Sequence, residues 1–254
     1  MNSAPTNSHT PCAGAGAAAA EAAIDELERT FDELAAHFGD ERIERLRFGT
    51  AHRMRGIAVV LDALYDPGNR SSIYRTAEGL GLLDVHLVRP EAAWKEHARS
   101  VSRGAEKWLS LHHWRSAADC AYALRAQGMQ ILCADASVTN DLTPFDLQRP
   151  TALVFGNEHD GVSSAMRAAA DGFFAIPMRG FAGSFNVGVA AGLALHSARV
   201  ARERALGSTT DLDEHARMTL LVDYATRSSL WMRRLEDERR ARAARDAASP
   251  PINT

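Results

Sequence analysis

The feature that most constrains the fold of this chain is a regular alternation of short apolar runs with helix-like segments between residues 57 and 203. The runs are Ile57–Leu61, Val85–Val88, Gln130–Ala134, Ala152–Phe155 and Phe173–Ile176. Most are too continuously apolar for strands that face water on one side, so they are typical of strands covered on both faces. Buried strands joined by helices predict an α/β protein with a mostly parallel sheet and helices on both faces.

Three segments with polar turns, two of them with several glycines, follow or end strands of this predicted sheet. They are residues 66–77, 151–163 and 176–195. The polar side chains in these segments that could take part in catalysis or binding are Asn69, Arg75, Glu158, Ser184 and Asn186. Because parallel α/β sheets bind ligands outside the carboxyl ends of their strands, the three segments predict one binding site at that edge.

Common motifs for nucleotide and ester chemistry do not fit these segments. Gly156 and Gly161 have the spacing of a phosphate-binding loop, but Val162 stands where that loop needs lysine. The Gly79-Leu80-Gly81 sequence lacks the third glycine of a dinucleotide fingerprint. Ser184 is not in a Gly-x-Ser-x-Gly turn, which argues against a serine hydrolase.

The three segments, in this order, resemble the motifs of the SpoU/TrmH family of RNA 2′-O-ribose methyltransferases, which belongs to the trefoil-knotted SPOUT group. The likeness continues through residues 84–90, 102–108 and 128–132, and it is strongest to enzymes that modify a D-loop guanosine of tRNA. The resemblance implies S-adenosylmethionine as cofactor, tRNA or another structured RNA as partner, a C-terminal trefoil knot and a homodimer. Two alternatives stay open: a ribosomal RNA 2′-O-methyltransferase and a catalytically silent RNA-binding relative.

The resemblance also implies roles for individual residues. The catalytic group comprises Asn69, Arg75, Glu158, Ser184 and Asn186. The cofactor loops comprise Ala134, Gly156, Ile176, Met178 and Phe185, which act largely through backbone atoms. From the residues alone, Glu158 could equally be a helix-start carboxylate and Asn69 a turn residue or helix cap.

Four positions depart from the family pattern. Relatives favour Leu at Phe185 and Ser at Gly188, while His159 and Asp160 replace other residues in the acidic turn. We expect Phe185 to narrow the adenine pocket. The missing hydroxyl at position 188 leaves one polar contact unexplained.

Charge is sorted along the chain although the net charge is only -3. Residues 41–55 carry five Arg against two Glu, and residues 227–245 carry seven Arg against three acids. These clusters are candidate phosphate-binding surfaces, with solvated helix faces as the alternative. The candidate RNA-binding residues are Arg45, Arg47, Arg55, Arg233 and Arg234, and Arg42 and Arg53 lie in the first cluster.

The chain divides into five predicted regions. Residues 1–19 form a disordered tail, 20–55 an N-terminal helical segment that contacts RNA, 56–206 the SPOUT domain, 207–246 an Arg-rich helical extension and 247–254 a tail. In the extension, Leu220, Leu221, Tyr224 and Trp231 form the expected packing side.

Cysteine spacing and hydropathy predict where the protein works. Cys12, Cys120 and Cys133 share no metal-like spacing and are odd in number, so we expect neither a zinc site nor a disulfide framework. No apolar run approaches the roughly 20 residues needed to cross a bilayer. We therefore expect a cytoplasmic protein without a metal.

The last predicted helix of the SPOUT domain carries a small-residue face formed by Gly188, Ala191, Gly192 and Leu195. Such a face permits close helix contact. It could serve a homodimer interface or pack within the chain.

Overall fold

The computed structural model describes residues 13–89 and 104–230, and these residues form two compact units. One unit comprises residues 51–212, and the other comprises the described residues before 51 and after 212. The sequence predicts unit boundaries at 55/56 and 206/207 instead. The central unit extends further because residue 211 is bonded to the backbone that precedes the first strand.

The central unit contains a parallel sheet. Its strands are β1 Ile57–Asp62, β2 Asp84–Val88, β3 Ser110–Trp114, β4 Gln130–Ala134, β5 Thr151–Gly156 and β6 Gly172–Phe174. Their order across the sheet is β3-β2-β1-β5-β4-β6, and every neighbouring pair is parallel. The α/β prediction is therefore confirmed.

Helices precede, connect and follow the strands. They are α1 Ala13–Ala35, α2 Asp40–Ala51, α3 Pro67–Gly79, α4 Ala117–Ala126, α5 Ser164–Ala168, α6 Val187–Leu206 and α7 at 214–230, with a short 3₁₀ helix at Ala105–Trp108. Within the described part of the chain, no helix has the length and apolar character that crossing a membrane requires.

The sheet is covered on both faces, as expected for buried strands. Val59 and Leu61 of β1 face one core together with residues of α3 and α6. Ala58 and Val60 face a second core together with residues of α4 and α5. Because side chains alternate along a strand, a continuous apolar run such as β1 supplies both cores at once.

Strand β3 was absent from the sequence prediction. Its sequence, Ser-Leu-His-His-Trp, is too polar to read as a buried strand, and its residues are only partly buried. It lies at the end of the strand order beside β2, where one flank lacks a neighbouring strand among the described residues. An edge strand needs less apolar character, so the apolar-run criterion misses it.

The pairing of β2 with β3 assembles a cluster of imidazole rings. His86 is almost completely buried, and its ring stacks on that of His112 with centroids 4.5 Å apart. Trp114 Nε1 donates a hydrogen bond of 3.0 Å to His86 Nδ1, and His112 Nε2 lies 2.7 Å from Asp84 Oδ1. Burial lowers the pKa of His86 to about 4, with a smaller contribution from His112.

Two helices begin earlier than the sequence predicts. α1 begins at Ala13, inside the segment 1–19 for which the sequence predicts a tail, because alanine has the highest helix propensity of any residue type. α3 begins at Pro67 rather than near Ser71, since Asp66 caps it by accepting a hydrogen bond from the Asn69 backbone N–H. Residues 1–12 lie outside the described part.

Buried arginines hold the segment that follows α6 against the rest of the central unit through ion pairs and hydrogen bonds. Arg202 forms an ion pair of 2.9 Å with Asp211, whose carboxylate also accepts hydrogen bonds from the backbone N–H groups of Arg55 and Gly56. Arg53 is also buried and pairs with Glu78 at 3.0 Å. The prediction that Arg53 belongs to a phosphate-binding surface is therefore wrong, because its side chain is buried and its charge is already paired inside the central unit.

The second unit is helical. Leu220, Leu221 and Tyr224 are buried on α7, which confirms three of the four predicted packing residues, and Trp231 lies outside the described residues. An Arg42 side-chain N–H donates to Ser228 Oγ at 2.9 Å, so α2 and α7 are in contact.

The two described cysteines are unpaired and buried. Burial raises the pKa of both Cys120 and Cys133 to about 12. A thiol with so high a pKa stays protonated and unreactive, so both behave as small apolar side chains.

Candidate active site

A cavity of about 1040 Å³ lies at the carboxyl ends of β4, β5 and β6. The loops that follow these three strands line it. The five predicted cofactor positions, Ala134, Gly156, Ile176, Met178 and Phe185, all belong to its lining. The catalytic candidates Glu158, Ser184 and Asn186 line it as well. Eight lining residues were therefore named from the sequence, seven in the segments 151–163 and 176–195 and one, Ala134, at the end of β4.

Three of the predicted catalytic residues are joined by side-chain hydrogen bonds. Asn69 Nδ2 donates to Glu158 Oε1, and Asn186 Nδ2 donates to Asn69 Oδ1 at 3.0 Å. Asn186 Oδ1 in turn accepts from the backbone N–H groups of Gly188 and Val189 at 2.9 and 3.3 Å, which caps α6. We call Glu158, Asn69 and Asn186 the amide chain.

The amide chain has only one consistent orientation. A carboxylate can only accept hydrogen bonds, so the NH₂ group of Asn69 must face Glu158. The carbonyl oxygen of Asn69 therefore faces Asn186. The helix N–H groups likewise require the carbonyl oxygen of Asn186, so its NH₂ group faces Asn69. Side chains from three separate loops are thereby held in a defined arrangement.

Asn69 is free for this arrangement because it does not cap α3. That role falls to Asp66, one turn earlier. Neither the turn reading nor the cap reading of Asn69 describes its side chain. Asn69 itself does not line the cavity but lies behind Glu158 and Asn186, which do.

The acidic turn is held by backbone and buried polar contacts. Asn157 Oδ1 accepts from the N–H groups of His159 and Asp160 at 2.9 and 2.7 Å, so these two unusual residues fit an ordinary Asx turn. A Cβ on Gly156 would lie 2.0 Å from the carbonyl carbon of Gly161, so only glycine fits there. Buried Asp62 at the end of β1 accepts from the Ser163 N–H at 2.7 Å and joins the first two motif loops.

The loop after β4 supplies lining residues that the sequence did not reveal beyond Ala134. Asp135, Asn140 and Asp141 line the cavity from this loop. Asp135 accepts from the Ser137 hydroxyl and backbone N–H and pairs with Arg167 at 2.6 Å. The available signal was a repeated Asp-x-Ser/Thr spacing, since Asp141 accepts from the Thr143 N–H in the same way.

The carboxylates give the cavity an acidic lining. Hydrogen bonds from Ser137 lower the pKa of Asp135, and a hydrogen bond from Thr143 lowers that of Asp141. Both are therefore ionised at neutral pH. Arg179 contributes a basic side chain to the lining.

Arg75 neither lines the cavity nor, unlike Asn69, is hydrogen-bonded to residues that do. It lies on the exposed side of α3, almost two turns after Asn69, and is not part of the cavity lining. Among the described residues it has no hydrogen-bond or ion-pair partner. Its guanidinium is therefore available to a group that comes from outside this chain.

The small-residue face of α6 packs within the chain. Gly188, Ala191 and Leu195 are buried, and a Cβ on Gly188 would lie 2.4 Å from Ser72 Oγ on α3. Three of the four residues of this face therefore pack within the chain, and Gly192 is half-buried. The Ser72 hydroxyl occupies the space beside Gly188, which accounts for the absence of a side chain there.

The candidate RNA-binding arginines fall in different parts of the molecule. Arg45 and Arg47 are exposed on α2, where Arg47 also lies over the Phe31 ring. Arg55 belongs to the central unit and lies 3.3 Å from Asp84. Arg233 and Arg234 lie outside the described residues.

A parallel α/β sheet with a large cavity at its strand carboxyl ends, lined by polar motif loops, defines the class of protein: an α/β protein with a ligand site at the strand ends. Residues 56–196 match the model of the SpoU rRNA Methylase family. The chain belongs to this family.

Individual relatives agree with the family match. The chain is 35% identical over 156 residues to the tRNA (guanosine(18)-2'-O)-methyltransferase of Escherichia coli (strain K12), which covers 61% of this chain and 68% of that protein. It is similar to the crystal structure of the Aquifex aeolicus TrmH/SpoU tRNA modifying enzyme, with a TM-score of 0.67, 27% identity, and coverage of 74% of this chain and 97% of that one.

A structure with cofactor is also among the similar proteins. The SpoU methyltransferase AviRb from Streptomyces viridochromogenes, in complex with AdoMet, has a TM-score of 0.50 and 32% identity, covering 59% of this chain and 61% of that one. The family resemblance stated from the motifs is confirmed.

Proposed function

We propose that this protein transfers the methyl group of S-adenosylmethionine to a ribose 2′-hydroxyl of RNA, and that its substrate is guanosine 18 in the D-loop of tRNA. The observation that carries the proposal is the amide chain, which joins residues of all three motifs beside the cavity. Membership of the SpoU family and likeness to an enzyme named for guanosine 18 support the reaction and the substrate.

The cavity fits S-adenosylmethionine in size and charge. Its volume suits a ligand larger than a single nucleoside. Asp141 and Glu158 bring negative charge to the lining, which favours a ligand with an ammonium and a sulfonium group. The holding residues are Ala134, Gly156, Ile176, Met178 and Phe185. When bound, the cofactor supplies an electrophilic methyl group on a sulfonium centre.

The protein contributes positioning at this site. The amide chain fixes Asn186 at the start of α6 and Glu158 at the cavity lining, and Ser184 lies two residues before Asn186. Ser184 and Asn186 hold the target ribose so that its 2′-oxygen approaches in line. Aligned approach of this kind removes roughly 7 to 11 kcal/mol of a barrier.

Arg75 stabilises charge on the substrate. A ribose 2′-hydroxyl becomes a strong nucleophile only as it loses its proton, and negative charge then develops on the oxygen. A guanidinium has a pKa above ~12 and stays protonated in proteins, so it does not serve as a base. Arg75 instead orients an RNA phosphate and stabilises the developing alkoxide, while the 2′-hydroxyl proton passes to solvent water as the oxygen–methyl bond forms and the sulfonium–methyl bond breaks.

The active protein is a homodimer in this proposal. Arg75 is exposed and does not line the cavity of its own chain, so a second copy would complete the site. α6 supports such an interface because it exposes Val189 and Leu193, one turn apart, beside its buried small-residue face. The C-terminal trefoil knot and a cytoplasmic location belong to the same proposal.

In this proposal, basic side chains bind the RNA backbone. Arg45, Arg47 and Arg55 are exposed cations suited to phosphate, and Arg233 and Arg234 complete the proposed set. Contacts of this kind supply affinity that falls as salt concentration rises. They carry little sequence information, so the choice of guanosine rests on groups near the cavity.

A methyl-transfer assay tests the proposal. The purified protein is incubated with methyl-labelled S-adenosylmethionine and either unmodified tRNA or ribosomal RNA, followed by nucleoside mapping. We expect label on the 2′-oxygen of guanosine 18, and none in a matched tRNA transcript with adenosine at position 18. Label in ribosomal RNA alone would assign the ribosomal alternative. No transfer, with no cofactor binding by calorimetry, would assign the silent RNA-binding alternative.

A further inference from the structure

Phe181 is the most exposed large apolar side chain of the described residues, with a relative exposure of 112%. A single exposed apolar side chain is ordinary on a protein surface, and this ring is distinguished by its position beside the cavity and next to an exposed arginine. The ring lies in the loop between β6 and α6. The sequence singled out this loop for its glycines, but the proposed function gives Phe181 no role.

The loop carries the ring clear of the protein. A Cβ on Gly180 or Gly183 would find no atom within 4 Å, so there is open space beside the backbone on both sides of Phe181. Arg179 and Met178 line the cavity before the tip, and Gly183 and Ser184 line it after the tip. Phe181 itself does not line the cavity, so it stands outside the cofactor site but directly beside it.

The chemistry of the surroundings favours nucleic acid as the partner. Arg179 is exposed two residues away and has no ion-pair partner among the described residues, so it can pair with a phosphate. An aromatic ring with a cation beside it is the combination that binds unpaired nucleotides, because the ring stacks on a base and the cation binds the backbone. A ribose can enter the cavity only if its nucleotide leaves the regular stack, which exposes base faces at this place.

We infer that Phe181 is a stacking platform for an unpaired base of the RNA substrate, with Arg179 binding the adjacent phosphate. This inference rests on the proposed function and adds a residue that recognises the substrate. Base stacking on an aromatic side chain tolerates any base, so Phe181 selects an extruded nucleotide rather than a sequence.

Substitution of Phe181 separates stacking from simple burial. We expect Phe181→Ala to weaken binding of a fluorescein-labelled tRNA transcript by about 5- to 150-fold in anisotropy titrations. Phe181→Trp retains binding because it preserves the ring, whereas Phe181→Leu resembles the alanine variant. Tyr122→Ala is the matched control, since Tyr122 is another exposed aromatic residue, on α4, that does not line the cavity, and its loss leaves binding unchanged.

Two further measurements test the other possible roles of the Phe181 ring, which are a contact with the cofactor and a contact with a second copy of the chain. Affinity for S-adenosylmethionine stays within two-fold of wild type in Phe181→Ala; a larger loss would show that the loop closes over the cofactor and would overturn the inference. Light scattering shows an unchanged oligomeric state; dissociation would assign Phe181 to a contact between copies instead. Equal tRNA affinity of the alanine and wild-type proteins would also overturn it.

The RNA-binding assay does not require methyl transfer. If the wild-type protein binds tRNA but methylates no RNA, the proposed activity fails while the Phe181 variants still decide the stacking inference. If methylation proceeds normally in Phe181→Ala at low tRNA concentration, the stacking inference fails while the proposed function stands.

Discussion

Replacing Gly188 with alanine tests how α6 is seated against α3. A Cβ at this position would lie 2.4 Å from Ser72 Oγ and 3.1 Å from Asn186 Oδ1. The Ser72 hydroxyl must then rotate and lose its hydrogen bond to the Asn69 carbonyl oxygen. The Asn186 cap must also give way, and this cap belongs to the amide chain.

Opposing effects set the change in the free energy of unfolding that Gly188→Ala produces. A lost hydrogen bond costs about 0.5 to 1.5 kcal/mol, and a weakened helix cap adds about 1 kcal/mol. The helix propensity of alanine over glycine returns up to about 1 kcal/mol. We expect Gly188→Ala to lower the free energy of unfolding by about 1 kcal/mol.

Gly192→Ala is the matched control on the same helix. Its Cβ would meet only Thr76 Cγ2, at an ordinary contact distance of 3.7 Å. This variant therefore gains helix propensity without a clash and becomes more stable by up to about 1 kcal/mol. The two variants should differ by about 2 kcal/mol, which is roughly 4 to 8 °C in Tm for a protein of this size.

Removing the Ser72 hydroxyl should relieve the clash. In Ser72→Ala/Gly188→Ala the nearest atom of residue 72 becomes its Cβ, 3.7 Å from the new methyl group. We expect the double variant to recover about 1 kcal/mol in a double-mutant cycle measured by urea unfolding. Equal effects at positions 188 and 192, or no coupling between positions 72 and 188, would refute this account of the packing.

Three further predictions concern the site and the sheet. Arg75→Ala lowers turnover at least about 100-fold while cofactor affinity by calorimetry stays within a few-fold, because only the developing charge loses its partner; near-normal turnover would contradict the role. Asn69→Asp places two carboxylates side by side and abolishes methyl transfer. Adding Glu158→Gln restores part of the activity, because the amide at position 158 then donates the hydrogen bond to position 69. A double variant no more active than the single one would exclude this geometry. Neutral His86 stabilises the fold fully above pH 6.5, and this contribution of up to roughly 3 kcal/mol is lost as pH falls towards 4, because the unfolded chain takes up the proton first. His86→Asn should flatten the fall in urea midpoint across that range, and an unchanged slope would assign the loss to other groups.

The sequence predicted the buried part of the fold better than its edge. β1 and β5 are continuous apolar runs, so their position between helices followed directly from composition. β3 carries two histidines and a serine, and only its pairing with β2 makes it a strand. That pairing is a long-range contact, which local apolar character does not encode.

The site, like the fold, has residues that the sequence predicted and residues that it missed. Motif residues such as Glu158 and Asn186 were found because glycine-rich turns at strand ends mark ligand sites. The contribution of Asp141 was missed because its loop has no glycine and lies outside the segments that carry the family likeness. The burial of Arg53 was missed because an arginine in a basic run looks exposed until its partner, Glu78, is brought to it by the fold.

The ion pair between Arg202 and Asp211 decides where the central unit can be cut. Truncation after α6, at the boundary that the sequence suggests, would remove Asp211 and leave the guanidinium of Arg202 inside the protein without its carboxylate. The backbone N–H groups of Arg55 and Gly56 would also lose their acceptor. Leaving a buried charge alone costs about 3 to 5 kcal/mol, a large share of the stability of one domain. A minimal expression fragment must therefore retain the chain through residue 212, and the linker to α7 is in effect the last piece of the catalytic unit.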